Sequence, residues 1–557
     1  MTTTFSGSLR MLPLAALSIV AARAVAQDQR PNILYIMSDD HAFQAISAYG
    51  NAISKLAPTP NIDRIAREGI RFDEAFVENS LSAPSRACTI TGLYSHQNGQ
   101  RQLCEGIDTT KTFVSELMQK AGYETGMIGK WHMECEPKGF DYYDILSGQG
   151  TYYNPEFKSK DTNGKYVREE GYATELITQH AIEFLDHRDK LKPFMLMVDH
   201  KAPHRSWIPA PQHLGMYDNV EFPVPSTFYE DYNGRGPAAH QQKMNIIKDM
   251  ELNLDLKVSD RADTAADVNT LVYESGRFTD AQKQVLADYY EPRNKAFVKA
   301  GLQGNDLAEW KYQAYLRDYL AVIHSVDESV GELLDYLEKN GLLDNTIVIY
   351  TSDQGFYMGE HGWFDKRFMY EESLRTPLVM MYKGHITPGT VSNAMVQNID
   401  YAPTFLDLAK AKQPKEMSGR SLQPLFKTGE AKNWRKSIYY HYYDYPTWHM
   451  VHKQDGVRTD RYKLIHFYGE GGTKAQQENR YQRMPGTMEY ESFVDMVKSG
   501  YINDRDQTAV NYNELYDLQA DPQEMHNVYG QPGYEKVTKQ LQKELDRYRK
   551  RLKIDEY

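Results

Sequence analysis

The chain has 557 residues, 41% of them hydrophobic, so it can bury a sizeable core and is not a disordered polypeptide. Lys and Arg number 64 against 76 Asp and Glu, a net charge of −12. That balance argues against a nucleic-acid binder, whose affinity rests on neutralising phosphates, yet leaves room for an anionic substrate in a locally positive pocket.

Residues 1–26 read as a targeting segment. Arg10 precedes a mostly apolar run over 11–22, and Ala24-Val25-Ala26 forms an A-x-A cleavage site before Gln27. This is the pattern of a secretory signal peptide, too short to span a bilayer. No later stretch reaches the roughly 20 apolar residues of a membrane helix. The mature chain is therefore expected to be exported, periplasmic or secreted, with no membrane span. Cys88, Cys104 and Cys135 are too few for a disulfide framework and fit no zinc spacing. A single bridge between Cys104 and Cys135 is left open.

Residues 33–37 are a continuous apolar run of strand length. Thr59-Pro60 then opens a helix, with Thr59 as N-cap, Pro60 in the first turn and Gly69 as its stop. Further strands are expected at 125–128, 194–198, 346–350 and 378–382, with helical patterns such as 314–339 between them. Continuous apolar strands alternating with helices predict an α/β fold with a large, mostly parallel sheet between helical layers. Beyond residue 430 the texture changes. Residues 439–445 are aromatic-rich, 457–468 alternate like one exposed antiparallel strand, and 535–552 form a charged terminal helix. The expected organisation is a catalytic domain over 27–430 and a smaller antiparallel α+β subdomain over 431–557. The polar stretch 238–274 reads as an insertion near the site.

Four of the strand runs end in residues able to do chemistry: Ser38-Asp39-Asp40, Lys130-Trp131-His132, Asp199-His200 with His204 just after, and Ser352-Asp353-Gln354. Ligands of open α/β sheets bind outside the carboxyl ends of the strands, so these clusters are expected to converge. Any single cluster would pass for a turn or cap; four together are harder to dismiss. The segment 82–92 (SAPSRACTITG) adds a hydroxyl, Ser82, just before a helix whose first turn holds Pro84. Free N–H groups at a helix start favour an anion, and Arg86 adds a planar fork of donors. A hydroxyl beside an anion cradle, with carboxylates available for a metal, is what attack on a sulfate or phosphate ester needs.

Here the sequence resembles the formylglycine-dependent (type I) sulfatases of the alkaline phosphatase superfamily, whose signature reads C/S-x-P-S-R-x-x-x-L/T-T-G. Ile90 departs from it, standing where Leu or Thr is usual. The resemblance continues through PNILYIMSDDH, GKWH, APHR, SDQG and GEHGWFDKR to ELYDLQADPQEMHN, nearly the whole mature chain. It implies an alkaline phosphatase-like fold and that Ser82 is oxidised to formylglycine (3-oxoalanine) by a serine-type sulfatase-maturating enzyme. It also implies one Ca2+ held by Asp39, Asp40, Asp353 and Gln354, with residue 82 as a further ligand. Hard oxygen donors suit calcium better than zinc. Carried over by position, residue 82 attacks sulfur in line, aided by Arg86, while Lys130, His204 and Lys366 hold the sulfate oxygens. His204 would protonate the leaving sugar oxygen, and His132 would take the proton whose loss expels sulfate.

The runs KAPHRSWIPAPQHL and GWFDKRFMYEESLRTPL look most like bacterial N-acetylglucosamine-6-O-sulfatases, which act on sulfated host glycans such as heparan sulfate fragments or mucin. By that resemblance Asp365 and Arg367 contact sugar hydroxyls, and Trp448 or His449 closes the other side of the sugar. Residues 439–448 could equally just pack the subdomain against the core. Two rival activities remain: another hydrolase of the superfamily, such as a phosphodiesterase or phosphonate monoester hydrolase, and a sulfatase for a different sugar. A non-catalytic glycan-binding protein is a third reading, disfavoured because every catalytic position is present.

Overall fold

The computed structural model describes residues 1–3, 30–103, 105–258, 276–445, 447, 449–469 and 509–557. The targeting segment, Cys104 and Trp448 therefore lie outside the described residues, and with Cys104 the Cys104–Cys135 bridge. Cys88 is a buried free thiol.

The sheet strands are β1 (Asn32–Ser38), β2 (Ile70–Phe72), β3 (Glu124–Gly129), β4 (Tyr142–Leu146), β5 (Glu156–Ser159), β6 (Val167–Arg168), β7 (Phe194–Asp199), β8 (Thr346–Ser352), β9 (Leu378–Met381) and β10 (Thr390–Ser392). They form one ten-stranded sheet in the order β10-β2-β9-β8-β1-β7-β3-β4-β5-β6. The five central strands, β8-β1-β7-β3-β4, all run parallel. The sheet is mostly parallel, as expected, and the run at 378–381 is one of its antiparallel members: β9 lies antiparallel to β8 and β2. On the other flank β5 turns back along β4.

Every residue of β1 is buried, because the sheet is covered on both faces. Side chains alternate across a strand, so Leu34 and Ile36 enter one core while Ile33, Tyr35 and Met37 enter the other. The first core is closed by helix α3 (Ala173–His187) and the 36-residue α4 (Gly304–Lys339), which extends the expected 314–339 helix at its start. The second is closed in part by helix α2 (Ser82–Thr91).

Helix α1 (Pro60–Glu68) begins and ends where expected, with Thr59 at the N-cap and Gly69 at the C-cap. Its cap is made differently. The Thr59 hydroxyl donates to Asp63 Oδ1 at 3.2 Å, while the free N–H groups of Asn61 and Ile62 are taken by the Asp327 carboxylate of α4 at 2.9–3.2 Å. A tertiary partner thus replaces the local cap.

The C-terminal sheet is antiparallel in the order β11 (Ser437–Tyr442), β12 (Gln454–Thr459), β13 (Tyr462–Gly469) and β14 (Val510–Asp517). Residues 457–468, expected as one exposed strand, span the turn between β12 and β13, and most of them are buried. Thr459 Oγ1 accepts from Tyr462 N at 3.0 Å and closes that turn. Both faces are covered. Tyr439, Val457 and Leu464 pack on Leu541 and Leu545 of helix α5 (Glu535–Leu552), whose bounds match the sequence expectation. Tyr440, Ile465 and Phe467 pack against Leu81 and Phe368 of the large-sheet loops. Both sides carry apolar residues, so alternation could not reveal an exposed face.

Candidate active site

Strand register brings the four clusters together. Ser38 lies opposite Ser352, Met37 opposite Asp199, and Gly129 opposite Asp199, so the carboxyl ends of β8, β1, β7 and β3 finish in line. The residues just past each strand end emerge on one edge. At β3 the close approach demands glycine: Gly129 has φ +95°, and a Cβ there would sit 2.0 Å from the Asp199 carbonyl. The Lys130 N–H donates to that carbonyl at 2.7 Å, which directs the lysine into the site. The β1 turn is held from below by Tyr319 of α4, whose hydroxyl donates to the Asp40 carbonyl at 2.7 Å.

Ser82 is the first residue of α2 rather than the residue before it. Its hydroxyl donates to Asp39 Oδ1 at 2.9 Å, and it is 2% exposed. Around it converge the buried side chains of Asp39, Asp40, Asp353 and Gln354. Asp40, at φ +68°, sits in left-handed backbone, and its N–H donates to Asp353 Oδ1 at 3.1 Å. The Gln354 amide donates to Asp40 Oδ1 at 2.5 Å and to Asp353 Oδ1 at 2.7 Å. Cations surround the group. Lys366 Nζ reaches both Asp40 oxygens at 2.5 and 2.7 Å, and Lys130 pairs with Asp39. Arg86 donates to Asp353 Oδ2 at 3.1 Å and to Asp199 Oδ2 at 3.0 Å. Burial pushes the Asp40 carboxyl up to about 7 against the pull of Lys366, and burial does the same to Asp199 against Arg86.

These residues fit a hard divalent cation. Three carboxylates, Asp39, Asp40 and Asp353, gather here with the Gln354 amide, and Gln354 Oε1 is buried with no hydrogen-bond partner among the described residues. A carbonyl-type oxygen left over beside three carboxylates is a donor awaiting a ligand.

The two histidines flank the cluster. His204 Nδ1 donates to the Arg205 carbonyl at 2.8 Å, which leaves Nε2 facing inward, 3.8 Å from Asp40 Oδ2. His132 occupies left-handed backbone at φ +52°, and its Nδ1 has no partner among the described residues. Burial first, then the charges of Lys130, Lys366 and Lys201, holds both imidazoles well below their usual range; Arg86 adds to this at His132. Both rings are therefore neutral.

Asp365, Arg367 and His449 form an adjoining wall. His449 Nε2 lies 3.2 Å from Asp365 Oδ2, and Arg367 donates to Asp365 Oδ1 at 3.1 Å and to the Tyr442 hydroxyl at 3.1 Å. Asp365 and Arg367 have positive φ values of 76° and 93°. Burial would raise the Asp365 carboxyl, but His449, Lys366 and Arg367 hold it well below the usual range. The aromatic strand β11 serves this wall from behind, since the Tyr440 hydroxyl donates to the Arg367 carbonyl at 2.6 Å.

The structure thus gathers every described member of the expected site. It adds three residues to which the sequence reading gave no role. Asp199 anchors Arg86, and its place at the end of a strand run was the available signal. Gln149 accepts from Lys130 at 2.5 Å, and nothing in the local sequence marks it; Lys201 biases both histidines, and its signal was its place at the head of the run KAPHRSWIPAPQHL. Of the stretch expected as an insertion, residues 238–258 are described, and they support the wall: Asp255 takes Arg205 in a two-pronged pair at 2.9 and 2.7 Å, and the Lys243 carbonyl accepts from His449 Nδ1 at 2.8 Å.

Comparison with known proteins gives a consistent result. The family model described as Sulfatase matches residues 31–411, and the model described as N-sulphoglucosamine sulphohydrolase, C-terminal, matches residues 359–499 and 480–551. An N-acetylglucosamine-6-O-sulfatase of Bacteroides thetaiotaomicron is 45% identical over 555 residues, covering 98% of this chain and 91% of that protein. The N-acetylglucosamine-6-sulfatase of Homo sapiens is 27% identical over 446 residues, covering 75% and 68% respectively. A solved structure of a protein in complex with its substrate D-glucosamine-2-N,6-O-disulfate superposes with a TM-score of 0.84 at 44% identity, covering 95% of this chain and 99% of that one. A phosphonate monoester hydrolase from Silicibacter pomeroyi, 18% identical with a TM-score of 0.62 and coverages of 94% and 95%, shares the fold.

Proposed function

The chain belongs to the sulfatase family, and from that premise we propose that it hydrolyses the 6-O-sulfate of N-acetylglucosamine residues in sulfated host glycans. The observation that carries this reading is the 2.9 Å hydrogen bond from Ser82 to Asp39, at the centre of a carboxylate cluster ringed by Lys130, Lys366 and Arg86. The substrate is supported by the 45% identity to an N-acetylglucosamine-6-O-sulfatase over nearly the whole chain.

Formylglycine made from Ser82 by a serine-type maturating enzyme would supply, as its hydrate, the nucleophilic oxygen and a second hydroxyl whose deprotonation expels sulfate and restores the aldehyde. Ca2+ held by Asp39, Asp40, Asp353, Gln354 and residue 82 would neutralise the carboxylates and polarise the reacting oxygens. Arg86, one turn along α2 and fixed between Asp199 and Asp353, keeps positive charge beside residue 82. Lys130, paired with Asp39, and Lys366, paired with Asp40, hold the sulfate oxygens, offsetting the charge that spreads over them in the transition state. His204, with Nδ1 tied to a carbonyl, presents Nε2 as the proton donor to the sugar oxygen. An anionic substrate among the three lysines offsets the charge that suppresses its protonation in the free enzyme. His132, neutral and unpartnered at Nδ1, accepts the proton of the second step. Asp365, Arg367 and His449 offer hydrogen bonds to sugar hydroxyls, and Trp448, which lies outside the described residues, is proposed as a further sugar contact. Export to the periplasm or beyond would bring the enzyme to its glycans. Among the described residues no helix is long and apolar enough to cross a membrane.

The test is sulfate release from N-acetylglucosamine-6-sulfate, N-acetylgalactosamine-6-sulfate and galactose-6-sulfate by enzyme whose residue 82 is shown by mass to be formylglycine. Release from the glucosamine sugar alone, absent in Ser82→Ala, is expected. Equal release from a galacto-configured sugar would overturn the substrate, and faster turnover of an aryl phosphate than an aryl sulfate would overturn the reaction class.

A further inference from the structure

Away from the active centre, His213, His324 and Glu328 each place one ligating atom within 4.8 Å of the others. His213 closes a 3-10 turn (Pro211–His213), while His324 and Glu328 stand four residues apart on one face of α4. His213 Nε2 lies 3.1 Å from Glu328 Oε2, and His324 Nε2 lies 3.6 Å from Glu328 Oε1. Donors about 2.0–2.2 Å from a tetrahedral ion are roughly 3.3–3.6 Å apart, so each histidine already stands near that spacing from a Glu328 oxygen, and a small side-chain adjustment would bring one atom of each residue into a common sphere. The His213 ring is fixed by a second contact: its Nδ1 is hydrogen-bonded to the Ser325 hydroxyl at 2.8 Å, which turns Nε2 toward the other two groups. The His213 side chain is 7% exposed, His324 30% and Glu328 48%, so the group is anchored on one side and open to water on the other. The surroundings are acidic: Glu332 is pushed up first by burial and then by Glu328 and Glu175. Burial, with the neighbouring His213, keeps His324 below its usual range, so the ring is neutral and its lone pair available.

We propose that His213, His324 and Glu328 form a second divalent-metal site, distinct from the oxygen-lined active centre, that takes Zn2+ in preference to Ca2+ with water completing the sphere. Two imidazoles and one carboxylate are borderline donors that favour zinc over calcium. A bound ion would tie the 211–213 turn to α4, so its effect falls on stability and not on sulfate hydrolysis.

The measurement is Zn2+ titration of the full-length protein in saturating Ca2+, by calorimetry, with Co2+ substitution read from its visible absorption. One equivalent is expected in the wild type, with tetrahedral-type Co2+ bands and a higher melting temperature. His324→Ala and Glu328→Gln, both at exposed or half-exposed positions, should each weaken binding at least tenfold, with unchanged circular dichroism and sulfatase turnover. His213→Ala is the weaker test because that ring is buried. Unchanged affinity in either exposed variant, or no Zn2+ uptake by the wild type, would overturn the site and leave an ordinary His–Glu ion-pair cluster.

Discussion

Two buried aspartates in this molecule are treated in opposite ways. Asp455, on β12, receives a two-pronged pair from Arg549 of α5 at 2.7 Å for each bond, and also accepts from the Tyr439 hydroxyl at 3.2 Å. Burial would raise its carboxyl, but the Arg549 bonds, with His466, bring it down to about 2. Asp40, equally buried, has Lys366 for a partner but shares its space with Asp353 and Asp365, and is pushed up to about 7. The first cluster is balanced and sits in regular strand and helix. In the second, burial outweighs the pull of Lys366 and neighbouring carboxylates add to it, in left-handed backbone and beside a Gln354 oxygen that has no hydrogen-bond partner among the described residues. Balanced burial marks structure; unbalanced burial held by strained backbone marks a place where something else must bind.

The comparison can be broken from either side. The largest effect belongs to Ser82→Ala, which should lower kcat/KM by about 10^4-fold or more while leaving the thermal melt nearly unchanged, since a buried hydroxyl with one hydrogen bond contributes only about 1 kcal/mol. Arg549→Met should do the reverse: a buried Asp455 left without its guanidinium costs about 3 kcal/mol of stability, and kcat/KM of the folded fraction should stay as in the wild type. Denaturant melts alongside turnover would decide whether the two clusters separate in this way.

Asp353→Asn sits between these extremes. It keeps the shape and removes one charge from the cluster, and on the proposed Ca2+ reading should weaken ion binding and activity about 10–100-fold, with partial recovery of activity at high Ca2+. Loss of activity that added Ca2+ never restores would mean that the residue does not act through the ion.

The smallest effect is acid sensitivity of the balanced cluster. The folded pKa of Asp455 lies below its unfolded value, so its contribution is complete above about pH 4 and is lost as pH falls toward about 2, some 2 kcal/mol in all. Denaturant melts at about pH 5 and about pH 3 should show the wild type losing more stability than Arg549→Met, because the variant has no such pair left to protonate. An equal loss in both would mean the pair does not carry the acid response.

Much of this was legible in the chain. The five apolar strand runs and the helix at 535–552 fell where periodicity put them, because fully buried strands and amphipathic helices write their burial into sequence. The segment 82–92 and the strand-end clusters marked the site by chemistry alone. Residues 457–468 misled because both faces of that sheet are covered, so a tight turn at Asp460-Arg461 was hidden inside one alternating pattern.

What sequence by itself determined was the inventory: a nucleophile-bearing helix start, carboxylates after strands, and lysines and histidines at fixed offsets from them. Only the tertiary structure decided their partners. That Arg86 is shared by Asp199 and Asp353, that Lys366 reaches Asp40 across 326 positions, and that β11 supports Arg367 all depend on strand order and register. The reason is physical: a side chain's type is local, whereas its charge state and aim are set by neighbours that chain folding brings from hundreds of residues away.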